Sequence, residues 1–322
     1  MIKGSSSKEK RSIWPKRFIH WQEQSVLKIS IPFTWELPAA RLFIESWEQP
    51  LDKIIVGGPG VYLMPDYFAD MTTVSIGQDE QGVLQRLNPL ATRTTLGCIR
   101  RCPFCAVGTG KVERGKLEEL EDWPDRPIIC DNNLLAASDK HFDRVIDRLL
   151  AWKWALFEQG LDARLLTPYH AERLSQIKEP GVRLALDSMD HADQWENAFA
   201  TLKRAKIANR HIRSYALIAY NTGVEEAWER CQWIERHGIK VLPMWYHSLD
   251  ALALNNVTPE QEALGWSENS RKGLMGFFWQ HRGARPNSAT SSAAGDGDRT
   301  RRSAKAKGEC HESKKLHAVD TR

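Results

Sequence analysis

Three cysteines stand close together in the run Gly97-Cys98-Ile99-Arg100-Arg101-Cys102-Pro103-Phe104-Cys105, with the spacing CxxxCxxC. Thiolate is the ligand that iron-sulfur clusters demand, and three thiolates from one loop can hold three irons of a cubane [4Fe-4S] cluster. The fourth iron of such a cluster stays open to a small chelating molecule. Zinc is the alternative partner for these sulfurs. It wants a fourth Cys or His at a short second spacing, and the nearest such groups downstream are Cys130 and His141. Six cysteines with half of them in one tight loop suit a reducing compartment and a metal better than a disulfide scaffold.

A ligand loop needs elements to hold it. Residues 92–97 read as a strand running into the first cysteine, and further strand-like runs follow at 127–131, 163–167, 182–187, 211–220 and 240–246. Helical periodicity fills most of the gaps. The clearest case is capped by Ser138, carries Phe142, Val145, Ile146, Leu149 and Leu150 on one face and is expected to end near Gly160. Strands alternating with helices predict an α/β fold with parallel pairing. In that arrangement functional groups gather beyond the carboxyl ends of the strands. The residues there are Asp131, Asn132 and Asn133; Thr167 and Tyr169; Asp187 and Ser188; Tyr220, Asn221 and Thr222; and Trp245, Tyr246 and His247.

The run Gly-Cys-x-x-x-Cys-Pro-Phe-Cys-Ala resembles the cluster loop of the radical S-adenosylmethionine superfamily, with Cys98, Cys102 and Cys105 as the metal ligands. The resemblance covers roughly residues 90–255 and implies a partial (β/α)6 TIM-type barrel. It also implies a [4Fe-4S] cluster, S-adenosylmethionine as its partner, and an external electron donor such as flavodoxin or ferredoxin. The implied reaction is reductive cleavage of S-adenosylmethionine to a 5′-deoxyadenosyl radical that acts on a substrate the sequence does not reveal. Phe104 falls where members carry an aromatic residue near the adenine. Members often hold the cofactor amino group on a Gly-Gly-Glu motif after the second strand; here Cys130-Asp131-Asn132-Asn133 stands in its place, so Asp131 or Asn132 is the substitute. Asp187 and Ser188 correspond to ribose contacts, and the segment around Tyr220 to the adenine flank. Each of these has a plainer alternative as a helix cap or loop hydrogen bond. Arg164, beside Asp162, either holds a carboxylate or pairs with a neighbour, and Cys231 falls on a buried helical stripe.

Outside the expected barrel, residues 1–24 read as a flexible basic arm and 25–89 as a short α/β unit, with a strand at 25–32, a helix at 38–47 and a strand at 52–56. The last of these runs into Gly57-Gly58-Pro59-Gly60, similar to the late part of the cobalamin-binding domains that precede some radical barrels. The chain lacks the Asp-x-His-x-x-Gly loop of those domains, so cobalamin is not expected and the glycines read as a packing turn. Residues 256–283 read as closing helices and 284–322 as a disordered tail, in which Cys310 and His311 form a metal pair at most.

Charge limits the partners. The net charge of +4 resides in the tail: from Ala284 onward there are nine Lys and Arg against five acids, which leaves 36 of each sign in residues 1–283. A neutral body carries no overall electrostatic footprint for nucleic acid. That weighs against the rival reading, methylation or methylthiolation of nucleic acid or protein; a non-catalytic zinc or iron-sulfur binding module is the other rival. No apolar run is long enough to cross a bilayer and no signal peptide is evident, so a cytoplasmic protein without membrane partners is expected.

Overall fold

The computed structural model describes residues 14–15, 17–78, 82–113 and 116–280. The described part begins with a sheet inside the expected arm. Strand β1 (Ile19–Glu23) turns back through Gln24, at φ 55°, into β2 (Val26–Ser30), which it pairs antiparallel. The arm expectation therefore fails for residues 19–23: Ile19 and Trp21 lie half-buried against the sheet, a strand's alternation that the Lys- and Arg-rich flank obscured.

After β2 the chain forms α1 (Leu37–Glu45), β3 (Lys53–Gly57), the short α2 (Pro59–Leu63) and β4 (Val74–Ile76). The sheet order is β1-β2-β3-β4, with β2-β3 and β3-β4 parallel. Leu27, Ile29 and Ile31 from the β2 side meet Leu37, Ala40 and Ile44 of α1 and Ile54, Val56, Val61 and Phe68 in a separate small core. Gly58 has φ 99°, and a Cβ there would stand 2.8 Å from the Ile31 carbonyl oxygen; one on Gly60 would stand 2.7 Å from the Phe33 backbone. The glycines admit this close approach of two backbones within the N-terminal unit.

Following α3 (Val83–Leu87), the chain lays down β5 (Ala91–Thr92), β6 (Thr95–Leu96), β7 (Glu118–Glu119), β8 (Ile128–Ile129), α4 (Asp139–Leu150), β9 (Trp154–Phe157), α5 (Pro168–Ser175), β10 (Glu179–Ala185), α6 (Ala192–Arg204), β11 (Ile212–Ile218), α7 (Val224–Glu235) and β12 (Lys240–Trp245). Strands β5, β8, β9, β10, β11 and β12 form one sheet in that order, and every pairing in it is parallel. Val182, Leu184, Ile212, Ala216, Ile218 and Val241 bury one face of it against Trp195, Ala198 and Leu202 of α6 and Ala227, Cys231 and Ile234 of α7. Each such large aliphatic side chain contributes about 1.5–3 kcal/mol on burial. Helices α8 (Pro259–Ala263) and α9 (Glu268–Gln280) follow, and Leu274 and Phe278 of α9 join the same core.

Two strand expectations are corrected. The run 92–97 is not one strand: the parallel sheet releases the chain after Thr92, and Thr95–Leu96 pairs antiparallel with Glu118–Glu119. The third strand is Trp154–Phe157, whereas Ala163–Leu165 forms a single 3-10 turn. Helix α4 stops at Leu150 because Lys153 turns left-handed, at φ 62°, with no Gly or Pro to signal the break, and Leu150 itself is exposed. Among the described residues no helix is long and apolar enough to cross a membrane.

Candidate functional site

The exits of the six parallel strands bring the candidate residues together, and the cysteine loop lies after the first. Gly97 opens the loop at φ 71°, and a Cβ there would clash with the Lys116 carbonyl oxygen. Cys105 N–H donates to the Cys102 carbonyl at 3.0 Å, closing a turn around Pro103 and Phe104. A Cβ on Gly108 would meet the Cys102 carbonyl oxygen at 2.4 Å, so the chain after the loop folds tightly back onto it.

The three thiols are free and half-buried. Cys98 Sγ accepts from Arg100 N–H at 3.3 Å and from Asn133 Nδ2 at 3.7 Å. Donors to a ligand sulfur are among the groups that tune a cluster held by it. Burial raises the Cys102 pKa, and the neighbouring Cys105 and Cys98 raise it further, opposed by Arg164. Cys130 and Cys231, by contrast, are buried thiols pushed up to about 12 by burial, without a ligand's exposure.

The loop is tied at three places. Arg100 Nε donates to Asp162 Oδ2 at 3.0 Å across the opening of the sheet. Asp162 also accepts Arg164 Nε at 2.7 Å and Asn133 Nδ2 at 3.3 Å. Burial opposes ionisation of Asp162, but the two arginines outweigh it and hold the carboxyl below its ordinary value. Glu113 supplies the third tie: its carboxylate accepts Gly97 N–H at 2.7 Å and Asn132 Nδ2 at 2.5 Å, and pairs with Arg93.

The candidate cofactor residues divide accordingly. Asp131 is fully buried; Oδ1 accepts Thr94 N–H at 2.6 Å and Thr95 N–H at 2.9 Å, and Oδ2 accepts Thr94 Oγ1 at 2.5 Å. Those bonds hold the chain where it leaves the sheet after β5, so Asp131 braces Thr94 and Thr95. Asn132 is held by Glu113. Ser188 is engaged locally: its hydroxyl accepts Asp190 N–H at 3.2 Å and donates to Asp190 Oδ2 at 2.9 Å, capping a 3-10 turn at Met189–His191. Thr167 caps α5, and Tyr169 lies on that helix.

Four candidates do converge on the loop. Asp187 takes Leu217 N–H on Oδ1 at 3.0 Å, and its Oδ2 has no hydrogen bond to a described residue; the carboxylate lies near Cys102 and Arg164, and burial raises its pKa. Asn133 is buried, lies against Cys98 and keeps its Oδ1 without a partner. Phe104 meets the Tyr220 ring edge-on at 5.2 Å, and Tyr220 meets Tyr246 at 4.8 Å, so an aromatic arc spans the exits of β5, β11 and β12. Ala219 and Asn221, at φ 65° and 52°, flank Tyr220 in the left-handed region and kink the chain there. Trp245 is buried, and His247 packs on Trp35 at 4.5 Å and accepts Asn255 N–H at 2.9 Å.

Sequence reasoning missed Glu113, Arg93 and Arg100. Glu113 sits in a Lys- and Arg-rich stretch that reads as a solvated loop; the one available signal was an isolated acid among bases. Among the described residues no three His, Cys, Asp or Glu side chains converge on a single metal ion. Cys310 and His311 lie outside the described residues. No family model matches the chain, and no curated protein matches it.

Proposed function

We propose that the chain is a radical S-adenosylmethionine enzyme, in which Cys98, Cys102 and Cys105 hold a [4Fe-4S] cluster and the six-stranded sheet is a partial (β/α)6 barrel around the reaction. The observation that carries the reading is the full CxxxCxxC set, as free thiols on one tight loop at the exit of the first of six parallel strands in sequence order. The donor set suits a cluster better than one zinc: tetrahedral zinc needs its ligands to converge on a point, while each thiolate of a cubane takes its own iron.

When bound, the cluster would supply one electron to the sulfonium of S-adenosylmethionine, whose cleavage gives the 5′-deoxyadenosyl radical. The chain's own residues orient the partners. Asn133 and Arg100 N–H donate to Cys98 Sγ and orient it, and the Asp162 and Glu113 ties keep the loop in place. Phe104, Tyr220 and Tyr246 offer a flat adenine to stack on, and Asp187 Oδ2 is an acceptor for ribose hydroxyls. Asn133 Oδ1 is an acceptor for the cofactor's amino group. Such positioning and exclusion of water are what a protein adds to this chemistry. The electron comes from an external donor such as flavodoxin or ferredoxin.

Anaerobic purification tests the reading. We expect a brown protein carrying about four irons per chain that cleaves S-adenosylmethionine with dithionite. Alanine at Cys98, Cys102 or Cys105 should abolish the cluster absorbance, while Cys231→Ala should keep it. A colourless zinc protein, or equal loss at all four positions, rejects the assignment.

A further inference from the structure

The face of the six-stranded sheet turned away from the helices holds a second group of side chains, separate from the cysteine loop. Arg183 of β10 and Arg213 of β11 are direct register partners, so their side chains leave the same face of adjacent strands. Two residues on, Ala185 stands opposite Tyr215. Arg183 has partners: its Nη1 lies 2.9 Å from Glu158 Oε2 and donates to the Tyr215 hydroxyl, which in turn donates to the Glu158 carbonyl at 2.8 Å. Its Nε is buried and has none.

Arg213 is different. It makes no hydrogen bond or ion pair with a described residue and stands open to solvent, yet protein surrounds it closely enough that desolvation, and then repulsion from Arg183, lowers its pKa. Its other register partner is cationic too: Lys240 of β12, which spends its Nζ on the Trp279 carbonyl at 2.9 Å. Like charges set directly opposite in a sheet destabilise it. Two guanidinium groups share the one described carboxylate beside them, Glu158, and Arg213 keeps its donors without a described partner.

We infer that Arg213, with Arg183 beside it, binds a carboxylate of a small organic ligand on this open face of the sheet. Guanidinium donors match a carboxylate in pairs. The Glu158 carboxylate beside the pair disfavours a phosphate dianion more than a carboxylate monoanion. Tyr215, Leu217 and Met244, the last 44% exposed, continue the same face and give the ligand's carbon skeleton an apolar wall. The inference deepens the proposed function, on which its meaning as a substrate class rests; the binding itself requires neither cluster nor cofactor.

The test uses the full-length chain labelled with 15N and titrated at constant ionic strength with sodium butyrate, and in parallel with inorganic phosphate. The arginine Nε–Hε resonances are followed, and that of Arg213 is identified by its loss in Arg213→Gln. Butyrate should shift the Arg213 and Arg183 resonances saturably, with a midpoint on the order of millimolar. In Arg213→Gln the midpoint, read on Arg183, should rise at least tenfold; Arg213→Lys should fall between. The exposed control Arg210→Gln should leave it unchanged. A linear, unsaturable shift, tighter binding of phosphate than of butyrate, or an unchanged midpoint in Arg213→Gln overturns the inference. Saturable butyrate binding by a protein that fails to cleave S-adenosylmethionine would reject the proposed function and leave the carboxylate site standing.

Discussion

Arg100, inside the cysteine loop, donates its Nε to Asp162 Oδ2 at 3.0 Å, so a residue between two ligand cysteines is pinned to the segment that follows β9. The Asp162 side chain is buried, with 8% of its surface exposed, and that of Arg100 is one-third exposed. A pair so placed lies between the weak surface ion pair and the buried one. Its function is positional: it sets where Cys98 and Cys102 stand relative to the third strand.

Asp162→Ala should therefore loosen the loop without unfolding the protein. We expect at least a twofold drop in iron retained after anaerobic reconstitution, and faster amide hydrogen exchange across residues 98–105. Arg100→Ala should give a similar loss, and the double variant should lose no more than the worse single one. Additive losses would show that the two residues act separately.

The same carboxylate sets an acid limit. Arg164 and Arg100 hold Asp162 below its ordinary value of 3.8 in the folded protein, so the unfolded chain takes up its proton first as pH falls. The stabilisation is complete above 3.8 and disappears as pH drops through the lowered folded value. Urea midpoints measured between pH 3 and 6 should fall less steeply at the acid end in Asp162→Asn than in the parent.

Asp131 carries a different burden. Three hydrogen bonds converge on its buried carboxylate from Thr94 and Thr95, the first residues to leave the sheet. Asp131→Ala leaves two backbone N–H groups and a hydroxyl without their acceptor, at a cost of about 3 kcal/mol. Urea denaturation should show that loss. A variant of parental stability with impaired S-adenosylmethionine binding would instead restore Asp131 as a cofactor contact.

Glu36 works in the opposite direction. Burial, opposed by Arg17, raises its carboxyl to about 7 from 4.5, and its Oε2 has no hydrogen-bond partner. The folded protein thus binds the proton more tightly than the unfolded chain. Stability from this group is fully present below 4.5 and is lost as pH rises through 7. Glu36→Gln should be more stable than the parent at pH 8 by about 1–2 kcal/mol and equal to it near pH 4. A constant difference across that range would reject the account.

The aromatic arc gives a binding prediction. Phe104→Ala and Tyr220→Ala each remove one side of the same edge-on contact. Each should weaken S-adenosylmethionine binding about fivefold to tenfold while leaving the iron content intact, as loss of a stacking contact of about 1–1.5 kcal/mol requires. Calorimetry on reconstituted protein distinguishes this from a structural defect, in which iron would fall as well.

The amino-acid pattern alone determined the α/β class, the parallel strands at 182–187, 211–220 and 240–246 to within a few residues, and the three sulfurs. These are local properties: apolar runs of strand length between periodic helices, and a spacing that a single loop satisfies. Tertiary structure decided the rest. The third strand was hidden because the apolar run after α4 continues helical periodicity, and Lys153 turns left-handed with no glycine to announce it. The spacing does not show that Asp131 and Ser188 make local bonds; only the positions of Thr94 and Asp190 show where their oxygens are engaged. Glu113 and Asp162 matter because Gly97, Asn132 and Arg100 arrive beside them from 16, 19 and 62 residues away. Pairings across such distances depend on how the strands are ordered in the sheet, which spacing along the chain does not encode.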